Sequence, residues 1–323
     1  MNPVVFLIIA HRIPPLKDLL RLLDHDFRGI IHIDSRTHIP DGEFAGLRNF
    51  HLTSQRLSVY WGGFNMMRVE LLLIKEALEK FQDASKFVLI SGDSLPAMAP
   101  GAMQAALEGD SEYLQIHEVA YNSSEFRMSE EQSRKNYGRV HESRFQNYVY
   151  WDSELTNPME RDRVQRMFSV NEATSNYIMG MARRVAGNIL KSFGPRPKLF
   201  ERLYFGQQWW ALNRRTVEYV LQRGEDPAVQ SYFEFLAVPD EHMVQTIVGN
   251  MPQPHSDFAS GRMLVHAAHP LSRKQLEPLR LSDLNYSKHL RPFVRKYNPE
   301  ISMEVKDSIA RGEYYDAISR LDG

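Results

Sequence analysis

Seven consecutive apolar residues, Val4-Val5-Phe6-Leu7-Ile8-Ile9-Ala10, stand almost at the start of the chain. A half-exposed strand alternates polar and apolar residues, whereas an unbroken run of this kind marks a strand covered on both faces. Two more buried strands are predicted at Gly29-Ile30-Ile31-His32-Ile33-Asp34 and Phe87-Val88-Leu89-Ile90. Strands of this type need helices packed on them, and the chain supplies these in alternation. Pro14 opens a helical stretch in which Leu16, Leu19, Leu20, Leu22 and Leu23 form an amphipathic stripe. A short strand is predicted near Phe50-His51-Leu52, followed by a long helix from Asn65 to Phe81. Strand, helix, strand, strand, helix, strand in that order predicts an α/β fold with a mainly parallel central sheet flanked by helices.

The remaining bounds are broad. A chain of 323 residues with 43% hydrophobic and 24% charged residues can bury a sizeable core, as one large domain or two small ones. Its formal net charge of -1 lends poor support to nucleic acid as a partner. With no cysteine there are neither disulfides nor thiolate metal sites, which suits a reducing compartment. The first apolar run is short and lacks a basic lead, so it does not read as a signal peptide. No stretch approaches the ~18 apolar residues of a membrane span, and the expected location is cytoplasmic.

In a parallel α/β sheet, ligands bind beyond the carboxyl ends of the strands. His11, Asp34, Tyr60 with Trp61, and Ser91 to Asp93 fall there. Singly, such residues are ordinary surface or turn groups, but as a set at successive strand ends they mark a site. A second concentration of polar and aromatic residues runs from Tyr204 to Asn250, with Gly206-Gln207-Gln208-Trp209-Trp210 and Pro239-Asp240-Glu241-His242. Asp240 is placed to cap a helix over 241–248, which puts Glu241 in its first turn. Two readings follow: both carboxylates only stabilise the helix start, or Glu241 is a general base beside aromatics that face a sugar.

There is no glycine-rich phosphate loop. Asp24-His25-Asp26 has the spacing of a metal-holding pair, but it ends a helix where such a pair should follow a strand. Asp110-Ser111-Glu112 and the pair His266 and His269 are no better placed. Phe293-Val294-Arg295-Lys296-Tyr297 offers a guanidinium fork and an ammonium to a diphosphate, or is a solvated basic pair. Asn122 to His141 is strongly charged and reads either as a solvated surface segment or as an acceptor-binding loop. Met159 to Phe193 predicts one or two helices, ended by Gly194-Pro195-Arg196-Pro197, and a last helix is predicted over 303–321.

Together these stretches resemble the core-2/I-branching β-1,6-N-acetylglucosaminyltransferases, a family that includes the peptide O-xylosyltransferases. The resemblance rests on Ile8-Ile9-Ala10-His11, Ile31-His32-Ile33-Asp34, Arg56 with Val59-Tyr60-Trp61-Gly62-Gly63, and Leu89-Ile90-Ser91-Gly92. It continues through Gly206-Gln207-Gln208-Trp209-Trp210-Ala211-Leu212, Pro239-Asp240-Glu241 and Phe293-Val294-Arg295-Lys296-Tyr297, in the family's order over nearly the whole chain. It implies a GT-A-like nucleotide-sugar transferase fold, an inverting reaction, a UDP-sugar donor such as UDP-N-acetylglucosamine or UDP-xylose, and no required metal or other cofactor. It assigns Glu241 as the base and Arg295 and Lys296 to the donor diphosphate, with Arg262 as the upstream arginine. His11, Asp34 and Arg56 match donor positions; Trp61, Gln208, Trp209, Trp210 and Asp240 match the sugar and acceptor side.

By the same resemblance, residues 1–116 form the nucleotide-sugar half, 117–200 a variable acceptor-side segment, and 201–323 the catalytic and diphosphate half. One departure is Ser91-Gly92-Asp93-Ser94-Leu95-Pro96, where the aspartate comes one place earlier than the family pattern. The lack of cysteines and of an anchor points to a bacterial-type or viral cytosolic form. Acceptors left open are a polysaccharide or lipid-linked oligosaccharide, a protein, or a modified nucleic acid. The rival class is a non-catalytic nucleotide-sugar or glycan-binding protein on the same fold.

Overall fold

The computed structural model describes residues 3–109, 111–119, 140–252, 264–267 and 291–310. The apolar run is strand β1, Val4–Ala10, and every residue in it is buried. It pairs in parallel with β2, Arg28–Ile33, on one side and with β4, Lys86–Ser91, on the other. The short β3, Phe50–Leu52, extends the sheet beyond β2. Helices α1, Ile13–Leu23, and α2, Asn65–Lys80, make the crossovers. Pro14 sits in the first turn of α1, where a missing N–H costs nothing.

The last strand of the main sheet comes from far along the chain. Between β4 and it lie β5, Leu95–Pro96, helix α3, Pro100–Glu108, β6, His117–Glu118, and β7, Tyr204–Phe205. Strand β8, Trp210–Asn213, then runs antiparallel beside β4, giving the order β3-β2-β1-β4-β8. The fold is therefore a mixed α/β architecture with a mostly parallel central sheet, consistent with a GT-A-like fold. From β1 the chain passes to one side for β2 and β3 and to the other for β4. The crevice at the carboxyl ends of β1 and β4 is thus a topological switch point.

Two smaller sheets attach the rest. Strands β6 and β7 pair antiparallel. In the other small sheet, β10, Phe293–Arg295, lies between β5 and β9, Val265–Ala267. Leu95, Ala97, Val294, Tyr297, Val305 and Ile309 form a satellite core there, which seats the helix Met303–Ala310. The Tyr297 hydroxyl donates to Asp18 of α1 at 2.7 Å, tying this unit to the main domain. Met159 to Phe193 holds two helices, Arg161–Phe168 and Glu172–Leu190. Among the described residues no helix is long and apolar enough to cross a membrane.

The expected helix over 241–248 is corrected. Pro239–Glu241 is instead one turn of 3₁₀ helix, and an α-helix begins only at Met243. Asp240 caps nothing. The reason lies in the residues around it: Val238 takes a left-handed φ of 56°, its N–H bound to Gly62 O, and His242 closes the turn. The His242 ring is fully buried and its Nδ1 lies 2.8 Å from Val238 O. A turn secured in this way directs the Asp240 side chain inward. Arg262, most of the charged segment 122–141 and the tail beyond residue 310 lie outside the described residues.

Candidate active site

A cleft of about 700 Å³ opens at the switch point. Its lining includes His11, Asp34, Trp61, Gln208, Trp209, Asp240, Glu241, Arg295 and Lys296, nine of the twelve residues singled out from the sequence. They lie up to 285 positions apart in the chain but come from few elements: the ends of β1 and β2, the loop before α2, the approach to β8, the 3₁₀ turn, and β10.

On the strand-end side, His11 follows β1 and Asp34 follows β2. The His11 ring is lowered in pKa, because the cleft walls desolvate it more than nearby Asp93 favours its charge. Asp34 is buried and held by Arg36, whose backbone N–H and Nη2 both reach its carboxylate at 2.8 Å. Arg36 also donates to Glu160 at 2.8 Å and lies 4.3 Å above the Tyr60 ring. Arg36 and Glu160 both line the cleft.

Arg56 does not. Its guanidinium donates to the carbonyls of Ile33, Asp34 and Thr37, so it ties down the loop after β2 from behind. The arginine expected at the donor is thus a loop tether, and the arginine of the cleft wall is Arg36. Its proximity to the strand-end Asp34 was the available signal.

Trp61 is half exposed at the rim and stacks on Trp151 with ring centroids 5.8 Å apart. Gly62 beside it has a φ of +65°, which a side chain would strain. The two adjacent tryptophans near β8 have opposite fates. Neighbours in an extended chain point to opposite faces. Trp209 faces the cleft, with the Arg295 guanidinium 4.6 Å from its ring centroid. Trp210 has no exposed surface and donates its indole N–H to Glu70 of α2 at 2.8 Å. Trp210 is therefore core, and its expected place on the sugar side is corrected.

The wall carrying Glu241 is built from the 3₁₀ turn and a helix over 140–146. Glu241 lines the cleft, and its Oε2 accepts from Arg144 at 2.8 Å. The Glu241 carbonyl accepts from Gly206 N–H at 2.9 Å. A Cβ at Gly206 would lie 1.8 Å from Gln115 O, so only glycine lets β7 approach this closely. His141 Nδ1 meets His242 Nε2 at 2.8 Å, and His141 stacks on Phe205 with centroids 3.9 Å apart. Burial lowers both imidazoles, His141 to about 2 and His242 to about 3, so both are neutral at physiological pH. His242 then gives its Nδ1–H to Val238 O and accepts from His141 at Nε2.

Asp240, one place before Glu241, is buried, and its pKa is pushed up to about 7 by burial and by the Glu241 charge. Arg144 escaped the sequence reading because nothing local marks one arginine in a charged stretch as facing a residue 97 positions away.

On the opposite wall, Arg295 reaches Asp93 Oδ1 at 3.3 Å. Asp93 is buried, which would raise its pKa, but Arg295, the Ser91 hydroxyl and Lys296 outweigh burial and hold it below the ordinary value. The displaced aspartate thus has a structural use: it fixes Arg295 against the end of β4. Lys296 forms no ion pair among the described residues. Burial lowers its pKa, and Asp93 only partly opposes this. Asp24 accepts from the backbone of Arg48 and Asn49 and does not line the cleft. Among the described residues no group of three His, Asp or Glu is arranged to hold a metal ion.

The arrangement offers an anion cradle, a carboxylate and aromatic faces around one cavity, which suits transfer of a group from a phosphate ester to a hydroxyl. No curated protein matches the chain. The family model for the core-2/I-branching enzymes matches residues 4–269, which span every strand of the main sheet and the turn carrying Glu241. The family's reaction takes a nucleotide-sugar donor and a glycan acceptor, and this chain belongs to the core-2/I-branching enzymes and is a glycosyltransferase.

Proposed function

We propose that this glycosyltransferase moves a sugar from a UDP-sugar, UDP-N-acetylglucosamine or UDP-xylose, to an acceptor hydroxyl with inversion and without a metal ion. The observation that carries this reading is that Glu241 and the Arg295-Lys296 pair line one cleft at the switch point. Arg144 holds one Glu241 oxygen in place. The other takes the acceptor proton as the acceptor oxygen attacks the anomeric carbon. Attack from the face opposite the leaving group inverts that carbon. As the bond to the diphosphate breaks, charge grows on the departing oxygen, where Lys296 and Arg295 stabilise it. Trp61 and Trp209 supply aromatic faces for the sugar rings.

The test is a screen of UDP-sugars with glycan acceptors, reading UDP release and product mass, with the anomeric configuration taken from proton coupling constants. UDP release on adding acceptor, unchanged by EDTA, is the expected result. Loss on chelation that manganese or magnesium restores would remove the metal-free part, and a retained anomeric configuration would remove the role given to Glu241.

A further inference from the structure

The helix Glu172–Leu190 is nineteen residues long and buries only Ser175, Met179 and Leu190. A helix of that length is roughly 28 Å long and ordinarily packs a full apolar stripe against its domain. Here the larger stripe faces outward. Tyr177, Met181, Val185 and Ile189, each four residues from the last, expose between 41% and 66% of their surface. Steps of four residues advance about 40° around a helix, so these side chains share one face some 120° wide. Met167 and Phe168, at the end of the preceding helix, are exposed as well.

The charge around this face is one-sided. Residues 161–198 carry eight Lys and Arg (161, 163, 166, 183, 184, 191, 196 and 198) against Asp162 and Glu172, in a chain whose net charge is -1. Arg166, Arg184, Lys191 and Lys198 are exposed and form no ion pair among the described residues. By helical rotation Arg184 falls beside Tyr177, and Lys191 follows one turn after Gly187 on the same flank. An apolar stripe bordered by unpaired cations is the pattern of a helix that lies in the plane of a bilayer interface.

We propose that this helix docks the enzyme on an anionic lipid surface, the stripe entering the acyl boundary and the flanking cations meeting the headgroups. Charge decides for lipid over a second copy of the chain. In a two-fold pairing of this face, Arg184 would meet the same cationic flank of its partner, whereas an anionic bilayer attracts it. The surface is separate from the transfer reaction, and its binding is read without turnover.

The experiment is flotation of the full chain with vesicles of phosphatidylcholine alone and with about 30% phosphatidylglycerol, at low and high salt. Binding to the anionic vesicles, weakened by salt and absent with phosphatidylcholine, is expected. Val185→Ser with Ile189→Ser should abolish it. Arg184→Gln with Lys191→Gln should lower it about thirtyfold, since each cation near a charged membrane surface acts almost independently. All four positions are exposed, so the melting temperature should hold.

Three outcomes overturn the proposal. One is no binding to either vesicle. Another is a concentration-dependent dimer, seen by light scattering, that the serine pair dissolves while vesicle binding stays the same. The third is a fall of several degrees in melting temperature for the serine pair, which would mean the chain itself covers the stripe.

Discussion

The two walls of the cleft are built on different principles. On the wall of the proposed base three groups are matched to partners: Glu241 to Arg144, His242 to Val238 O, and His141 to His242. On the wall proposed to hold the diphosphate Arg295 is paired with Asp93, but Lys296, partly desolvated, has no ion-pair partner among the described residues. A partly buried ammonium without a counterion is costly, and an arriving anion relieves that cost. The Glu241 carboxylate is thus held by a partner within the chain, whereas on the proposed mechanism Lys296 finds its counterion in the donor diphosphate. Substitutions on the first should damage chemistry with binding intact, and substitutions on the second should touch both.

The largest effect belongs to Glu241→Gln. The amide keeps the contact with Arg144 but cannot take a proton, so turnover should fall by ~10²–10⁴-fold with UDP affinity unchanged. A loss under about tenfold would remove Glu241 as the base. Next comes Lys296→Ala, with turnover down about 10²-fold and UDP affinity down by less, because the leaving-group charge is greatest in the transition state. Arg295→Lys should cost less than Lys296→Ala, since one face of the guanidinium is already committed to Trp209 and one edge to Asp93. Equal loss at both positions would mean that Arg295, despite its contacts with Trp209 and Asp93, carries as much of the leaving-group charge as Lys296.

How much of this was readable in the sequence depended on range. Unbroken apolar runs reported β1, β2 and β4 to within a residue, because double-sided burial leaves no room for polar alternation. Strand-end residues identified the cleft for the same reason: the switch point follows from strand order. Contacts between distant segments left no such trace. Arg36 with Glu160 and Arg144 with Glu241 join positions 124 and 97 residues apart, and neither pair has a local pattern. Trp210 was misplaced because an aromatic pair looks alike whether one or both rings face the site; only the strand's alternation separates them. The turn at Asp240 defied the capping rule because a buried histidine, not the carboxylate, closes it.

The adjacent tryptophans sharpen the contrast at smaller scale. Trp210→Phe keeps the apolar bulk but deletes the N–H that Glu70 accepts. Leaving a buried carboxyl oxygen without that donor should cost about 1–3 kcal/mol, a melting temperature lower by several degrees, with UDP binding unchanged. Trp209 is also largely buried but lines the cleft, so Trp209→Phe should lower the melting temperature less and weaken substrate binding. If both variants lose stability alike, Trp209 is a second core residue and the cleft has one aromatic face fewer.

The finest distinction lies behind the Glu241 side of the cleft, in the pH dependence of stability. Glu70 is fully buried, and burial, reinforced by the Asp240 charge and only partly opposed by the Trp210 hydrogen bond, pushes its pKa from 4.5 up to about 8. In the unfolded chain the same carboxyl loses its proton near its ordinary value. Between those two points the folded state holds a proton that the unfolded state has released, so stability falls as pH rises. The contribution is complete below about pH 4.5, declines through neutrality and is gone above about pH 8. Asp240, raised from 3.8 to about 7, has the same sign over a lower window. Glutamine has the shape of the neutral acid and can still accept from Trp210, so Glu70→Gln should flatten the melting temperature between about pH 7 and 8, where Glu70 alone still titrates. Below that, where both carboxyls hold a proton that the unfolded chain has released, Glu70→Gln should remove about half of the decline and Asp240→Asn the other half. Melting curves of the three proteins at matched ionic strength separate these windows. A slope unchanged by Glu70→Gln would mean that Glu70 is ionised in the folded protein and that a cation outside the described residues reaches it.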